Sequence, residues 1–80
     1  MRLDKFLKVS RLIKRRTVAR DAADAGRVTV NDKTAKPSYD VKVGDVVGIG
    51  FGNRKITVEV LELKESVPAG EAQNLYRVIE

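Results

Sequence analysis

The chain has 80 residues, no cysteine, no histidine and a formal net charge of +5 at pH 7. Cysteine and histidine supply many of the metal ligands, nucleophiles and general bases of proteins, so this composition disfavours metal sites and enzyme catalysis. Charged residues interrupt every apolar stretch, so we expect neither a secretory signal nor a membrane-spanning helix; a small domain without disulfides is typical of the cytoplasm.

The positive charge is concentrated in the N-terminal quarter of the chain. Residues 1–20 carry eight basic residues against the single acid Asp4, whereas residues 21–80 are slightly acidic. A surface that only maintains solubility usually mixes charges of both signs, as residues 53–65 do. A concentrated positive field instead attracts polyanions, and we therefore expect this quarter to bind one.

The first predicted element is a short helix. Leu3, Phe6 and Leu7 have the i, i+3, i+4 spacing of one helix face, and the helix is expected to end near Val9 or Ser10. Asp4 lies in its first turn, where a negative charge is favourable. Two interpretations of Asp4 stay open: it stabilises the helix and pairs with Lys8, or it orients a neighbouring arginine or accepts a hydrogen bond from RNA.

A basic connector, residues 11–16, and a second helix follow. Within the connector, Leu12 and Ile13 are interpreted as core anchors. Thr17 is the predicted N-cap of the second helix, and Gly26 supplies the left-handed residue that ends it. An alanine-rich apolar sector should allow close packing against the first helix. It comprises Val18, Ala19, Ala22, Ala23 and Ala25.

Beyond Gly26 the apolar period becomes two, which predicts strands. Asn31-Asp32 is expected to form a tight hairpin turn, and further strands are predicted around residues 46–49 and 56–63. In the tail, residues 71–75 could form a helical turn and residues 76–79 a final strand. The predicted fold class is α+β, with two short N-terminal helices packed on a small, mainly antiparallel sheet and a short β-rich C-terminal extension.

The order of these features resembles the S4-type RNA-binding domain, or alpha-L motif. The features are Arg2-Leu3-Asp4 opening a helix, the basic connector, the helix ending at Gly26, the hairpin Val28 to Lys33, and Val43-Gly44-Asp45 before a strand. One departure is Asp32, where the family commonly carries glycine. The resemblance implies an S4-type domain at residues 1–50 and a β extension at residues 51–80 packed on it, as one compact domain.

Among free-standing S4-type proteins, the connector and the tail are similar to bacterial ribosome-associated quality control P proteins. The matching tail pattern is Leu63-Lys64-Glu65, Glu71-Ala72 and Leu75-Tyr76. The resemblance implies binding to a large ribosomal subunit, through its rRNA and peptidyl-tRNA, and stabilisation of the P-site tRNA while a tailing factor directs C-terminal alanine tailing of the stalled chain.

Three alternatives remain. A ribosome-recycling heat-shock protein or a ribosome-assembly factor would present a similar basic face. An accessory domain of an rRNA pseudouridine synthase is disfavoured because no catalytic domain follows in the sequence. A basic amphipathic segment, residues 1–16, lying on anionic lipid is disfavoured because its apolar face is needed for the core.

The predicted RNA-binding residues are the charged residues of the N-terminal quarter. Arginine grips phosphate in a forked geometry whereas lysine acts as a point charge, and the strongest candidates are therefore Arg2, Arg15 and Arg16. The full set is Arg2, Asp4, Lys5, Lys8, Arg11, Lys14, Arg15, Arg16 and Arg20. We expect a monomer with no cofactor, no metal and no membrane partner.

Overall fold

The computed structural model of the protein describes residues 1–79. Two α-helices come first, followed by five strands, with a 3-10 helix before the last strand. The elements are α1 (Leu3–Val9), α2 (Arg16–Asp24), β1 (Val28–Val30), β2 (Lys33–Thr34), β3 (Val46–Phe51), β4 (Arg54–Val60), the 3-10 helix Ala69–Leu75 and β5 (Tyr76–Ile79). Within these residues, no helix is long and apolar enough to cross a lipid bilayer.

The strands form a single antiparallel sheet in the order β2-β1-β3-β4-β5. The central strand β3 pairs with β1 on one side and with β4 on the other, so that Ile49 lies between Val28 and Ile56. The α+β class predicted from the sequence is confirmed, including the final strand. Because β3 itself crosses residue 50, the proposed C-terminal extension continues the same sheet; its division from the S4-type part at residue 50 stays a prediction.

The core lies between α1 and the inner face of the sheet. Leu3, Phe6 and Leu7 of α1 are completely buried, as the helical spacing predicted, and they join the buried valines and Ile49 of the strands. Full burial of such a side chain stabilises the fold by about 1.5–3 kcal/mol. The apolar face of α1 is therefore fixed inward, and the basic residues on its other side are turned outward.

The structure corrects the predicted start of the second helix. Helix α2 begins at Arg16 with Arg15 as its N-cap residue, and no side chain caps it, so the prediction of Thr17 as N-cap is wrong. The extended backbone of Arg15 directs its carbonyl to the N–H of Ala19, 3.0 Å away, which closes the first turn two residues earlier than predicted. Arg16 thus belongs to a helix and not to the connector.

The apolar stripe of α2 is narrower than the sequence predicted. Ala19 and Ala23 are buried, but Val18 is half exposed and Ala25 is exposed. This nine-residue helix packs mainly on α1, which needs only one such stripe, and alanine allows the close approach. Gly26 has φ +78°, which confirms its left-handed role at the end of the helix.

The hairpin between β1 and β2 has the predicted turn. Asn31 and Asp32 both have positive φ, +52° and +70°, as the primed turns of two-residue hairpins require. The side chain of Asn31 also accepts from Val46 N–H at 3.0 Å and donates to Asp45 at 3.2 Å. These contacts join the hairpin to the start of β3.

Candidate RNA-binding surface

The loop of residues 37–41 holds the start of α1. The N–H groups of Leu3 and Asp4 donate to the carbonyls of Tyr39 and Pro37, at 2.8 and 3.1 Å, and Arg2 forms a β-bridge with Asp40. The first N–H groups of a helix have no partner inside the helix, so this loop satisfies two of them. It also fixes the backbone of Arg2 in an extended conformation, with the Arg2 side chain half exposed.

Asp4 is buried and accepts hydrogen bonds from three residues. Its carboxylate accepts from Arg2 Nε at 3.1 Å and Nη2 at 3.3 Å, from Arg16 Nη2 at 3.4 Å, and from the backbone N–H of Lys5 at 2.8 Å. Burial by itself raises the pKa of Asp4, but the hydrogen bonds from Arg2 and Arg16 outweigh it, and the pKa lies below its ordinary value. Asp4 is therefore a carboxylate at neutral pH.

These contacts separate the two interpretations of Asp4. Among residues 1–79, the ion-pair partners of Asp4 are Arg2 and Arg16, so the predicted pairing with Lys8 is wrong. Helix α2 starts beside α1, so its first residue, Arg16, lies against the Asp4 carboxylate and pairs with it in place of Lys8. The geometry agrees with the other interpretation, in which Asp4 orients neighbouring arginines.

Beside Asp4 the two helices enclose a shallow depression of about 240 Å³. It is lined by Arg2, Asp4, Arg16, Thr17 and Arg20. Three of the predicted arginines are thus brought together from two elements. Thr17, which the sequence presented only as a cap, is an additional hydroxyl in this depression.

A second depression, of about 320 Å³, is lined by Lys8, Arg11 and Lys14. Arg11 has φ +63°, a left-handed conformation that residues other than Gly, Asn and Asp rarely adopt. Its N–H donates to the carbonyl of Lys8 at 3.1 Å, which ends α1, and the chain then turns so that Ile13 is buried. Arg11 and Lys14 remain exposed.

A third depression, of about 340 Å³, lies between α1 and the loop that precedes the 3-10 helix. Its walls are Lys5, Lys8, Val9, Arg11, Arg16, Glu65, Ser66 and Val67. Lys5 Nζ forms an ion pair with Glu65 across it. Patterns along the sequence did not place Glu65 to Val67 at this surface, because only the tertiary fold brings the loop to α1.

Together these depressions form one basic surface. The third depression shares Arg16 with the first and Lys8 and Arg11 with the second, so it connects them, and the three include every predicted RNA-binding residue except Arg15. Arg15 is exposed at the N-cap of α2 but lines none of the three. A surface of this kind can bind several phosphates in a row, with arginine forks where the geometry is fixed.

Comparison with known proteins identifies the family of the chain. The family model for the S4 domain matches residues 1–47. The RQC P-site tRNA stabilizing factor of Bacillus subtilis is 54% identical over 80 residues, 100% of this chain and 93% of the relative. The factor of the same name from Streptococcus pneumoniae is 56% identical over 99% of this chain and 90% of the relative.

A solved structure, described as the trimeric structure of Vibrio cholerae heat shock protein 15, superposes with a TM-score of 0.91 at 35% identity, covering 99% of this chain and 81% of the other. The chain belongs to the S4 domain family and, within it, to the family of the RQC P-site tRNA stabilizing factors.

Proposed function

We propose that this protein is a non-enzymatic RNA-binding factor of ribosome-associated quality control. It binds the large ribosomal subunit that still carries peptidyl-tRNA, and it stabilises the P-site tRNA during C-terminal alanine tailing of the stalled chain. Similarity to the P-site tRNA stabilizing factors over the whole chain supports this function. The structural observation that carries it is the pair of arginines, Arg2 and Arg16, held by buried Asp4 on an exposed surface.

The arrangement suits the recognition of folded RNA. A-form RNA is read mainly through its phosphates, its 2′-hydroxyls and its shape. Arg2 and Arg16 each retain N–H donors that Asp4 does not use, and these can reach phosphate oxygens. Because Asp4 fixes the two side chains before RNA arrives, less side-chain entropy is lost on binding. The two arginines also more than neutralise the carboxylate, so it does not repel the RNA.

The partners follow from this function. The basic surface binds rRNA of the large subunit and the peptidyl-tRNA, through Arg2, Lys5, Lys8, Arg11, Lys14, Arg15, Arg16 and Arg20. The protein acts in the cytoplasm as a monomer, beside the tailing factor, and it needs no cofactor. Its chemistry is the positioning of RNA and not a covalent step.

A second candidate function is that of a heat-shock-type ribosome-recycling protein. The observation in its favour is the close superposition on Vibrio cholerae heat shock protein 15. The chain is 54% identical to the Bacillus subtilis factor but 35% identical to the Vibrio cholerae chain, which favours the quality-control function. The RNA bound in the cell distinguishes the two functions.

The test compares two arginine substitutions of equal charge change. Arg16 is half exposed and contacts Asp4, whereas Arg54 is exposed in the β3–β4 hairpin and has no ion pair among residues 1–79. We expect Arg16→Ala to weaken binding to large subunits carrying peptidyl-tRNA by about tenfold, since a hydrogen bond to a charged group contributes about 1.5–3 kcal/mol.

Arg54→Ala should change the affinity by less than about twofold, the small effect expected of an exposed charge outside the site. Co-sedimentation measures both affinities, and thermal unfolding checks that the two variants are folded. Equal binding by Arg16→Ala and the wild-type protein would contradict the assignment of the site.

A further inference from the structure

The depression between α1 and residues 65–67, which we name the Glu65 pocket, differs from the rest of the basic surface. Cations line it on the helix side, where Lys5, Lys8, Arg11 and Arg16 lie. The opposite wall carries a carboxylate, the Glu65 side chain, and a hydroxyl, that of Ser66. Asp4 is buried between two arginines, whereas the Glu65 side chain is 78% exposed and pairs with one lysine, so Glu65 is accessible to a ligand group other than phosphate.

The size and lining of the Glu65 pocket suit one nucleotide. Its volume of about 340 Å³ lies in the range of small-molecule sites. Val9 and Val67 contribute an apolar surface to it, and both valines pack on the core, so this part of the wall is fixed. An apolar wall offers nothing to a phosphate, but it matches the face of a base.

The carboxylate is held in place and still accessible. Lys5 Nζ contacts Oε2 of Glu65, and the Glu65 side chain is 78% exposed. The hydrogen bond from Lys5 holds the pKa of Glu65 below its usual value, so the group is ionised at neutral pH. Within residues 1–79, Lys5 is the one ion-pair partner of the Glu65 carboxylate, which can therefore accept from a new donor as well.

We propose that the Glu65 pocket binds one unstacked RNA nucleotide whose base carries an amino group, with Glu65 accepting from that amino group. The base lies against Val9 and Val67, and its phosphate lies on the cations of α1 and α2. Adenine, cytosine and guanine carry an exocyclic amino group, and uracil does not. Proteins that read RNA sequence target such unstacked bases through their edges. Lys5 then acts as a positioning residue for Glu65.

This inference rests on the proposed RNA-binding function and names a ligand within the same surface. Its test is a titration of the isotope-labelled full chain with guanosine 5′-monophosphate and with uridine 5′-monophosphate, followed by amide chemical shifts. Guanine is used because it presents two neighbouring N–H donors to a carboxylate. We expect shifts at the amides of Lys5, Val9, Ser66 and Val67, and at least about fivefold tighter binding of the guanine nucleotide.

Two variants make the test specific. Glu65→Gln should bind the two nucleotides with nearly equal affinity, because it lacks the charged acceptor. Glu62→Gln removes the same charge from an exposed residue of the same segment that does not line the pocket, and it should keep the preference. Equal affinities in the wild-type protein, a preference retained by Glu65→Gln, or no shifts at the pocket would each overturn the proposal.

The source of the nucleotide is determined separately. A photo-crosslinking amino acid at position 66, in the full chain bound to large subunits carrying tRNA, should form crosslinks with an unpaired nucleotide of either the tRNA or the rRNA, and sequencing identifies which. Crosslinks to protein or to base-paired RNA would overturn the proposal. Failure here leaves the binding loss of Arg16→Ala intact, so it is distinguishable from failure of the proposed function.

Discussion

Asp4 is an acid at the centre of a positive surface, and its environment explains its presence there. The side chain is buried, and it accepts from Arg2, from Arg16 and from the Lys5 backbone. A buried carboxylate is tolerated when it is paired and hydrogen-bonded. The contacts also join the start of α1 to the start of α2. Asp4 thus connects the stability of the helix pair with the orientation of two arginines of the proposed RNA-binding surface.

Replacing Asp4 by asparagine should weaken RNA binding even though it makes the protein more positive. Asparagine can still accept from the Lys5 N–H through its one oxygen, but it is neutral, so the ion pairs with Arg2 and Arg16 are lost, and its amide nitrogen cannot accept from Arg2 Nη2. We expect the free energy of unfolding to fall by about 1–2 kcal/mol and the affinity for RNA to fall several-fold. Urea denaturation and filter binding measure the two effects.

The matched control for that substitution is Asp21→Asn on the exposed surface of α2. It changes the net charge by the same amount without touching an ion pair among residues 1–79. Its affinity for RNA should be unchanged or slightly higher. Binding by Asp4→Asn as tight as that by Asp21→Asn would show that Asp4 does not orient the arginines.

The lowered pKa values of Asp4 and Asp40 predict that the protein loses stability in acid. The pKa of Asp40 is lowered to about 2 by hydrogen bonds from Lys42 and the terminal amino group, and that of Asp4 is also lowered. An unfolded aspartate titrates near pH 3.9. The unfolded chain therefore takes up protons first, and stability that is present above about pH 4 is lost as the pH falls toward 2.

Thermal unfolding at pH 7, 4 and 3 measures this loss, and Asp4→Asn should show a smaller decrease than the wild-type protein. Equal melting temperatures at pH 7 and pH 3 would contradict the prediction.

At the scale of elements, the β1–β2 hairpin places an aspartate where glycine is favoured. Asp32 has φ +70°, a left-handed conformation that glycine adopts without strain and that aspartate tolerates at a small cost. In Asp32→Gly, the relief of backbone strain should stabilise the fold by about 0.5–1 kcal/mol. Part of this gain is lost because glycine has more conformational entropy in the unfolded chain. Thermal unfolding measures the change.

Asp32→Asn serves as the control, because asparagine tolerates the same conformation and removes the same charge. Its melting temperature should lie near that of the wild-type protein. A melting temperature of Asp32→Gly below both would show that the turn is not strained at this position.

The elements divide clearly into those that local sequence determines and those that tertiary contacts determine. The spacing of Leu3, Phe6 and Leu7 predicted α1, and Asn31-Asp32 predicted the hairpin, because both signals act within a few residues. The start of α2 was predicted wrongly, since the cap rule favours Thr17 but Arg15 has the extended backbone. The preference for a particular capping residue is local, and tertiary packing can override it.

The same division applies to the candidate site. Charge counting along the chain identified the cations of residues 1–20, because they are close in sequence. It could not identify the partners of Asp4, which depend on how α2 packs on α1. It also could not place Glu65 beside Lys5, because these residues are far apart in sequence and are joined only by the fold.

At the scale of the whole molecule, the positive charge lies in one part of the fold and most of the core lies in another. The helices and their connector carry the positive field, and the sheet carries most of the core and the mixed charges. Because the basic residues lie in adjoining depressions, the surface should contact several phosphates at once. Affinity for RNA should therefore depend strongly on salt.

The release of counterions from the RNA determines how steeply the affinity falls with salt concentration. If roughly 4 to 6 phosphates are neutralised, the logarithm of the affinity should fall with the logarithm of the salt concentration at a slope of about −4 to −5. Titrations at several potassium chloride concentrations measure it. Arg54→Ala should leave the slope unchanged, and a slope near zero would contradict binding through phosphates.

The most direct measurement is crosslinking of the protein to RNA in living cells, combined with a gradient profile of the particle with which it travels. We predict joint recovery of tRNA and large-subunit rRNA near the P site from the free large-subunit fraction, and loss of both with Arg16→Ala. Recovery of precursor or small-subunit rRNA would contradict a role in stabilising P-site tRNA. So would recovery of no more RNA with the wild-type protein than with Arg16→Ala.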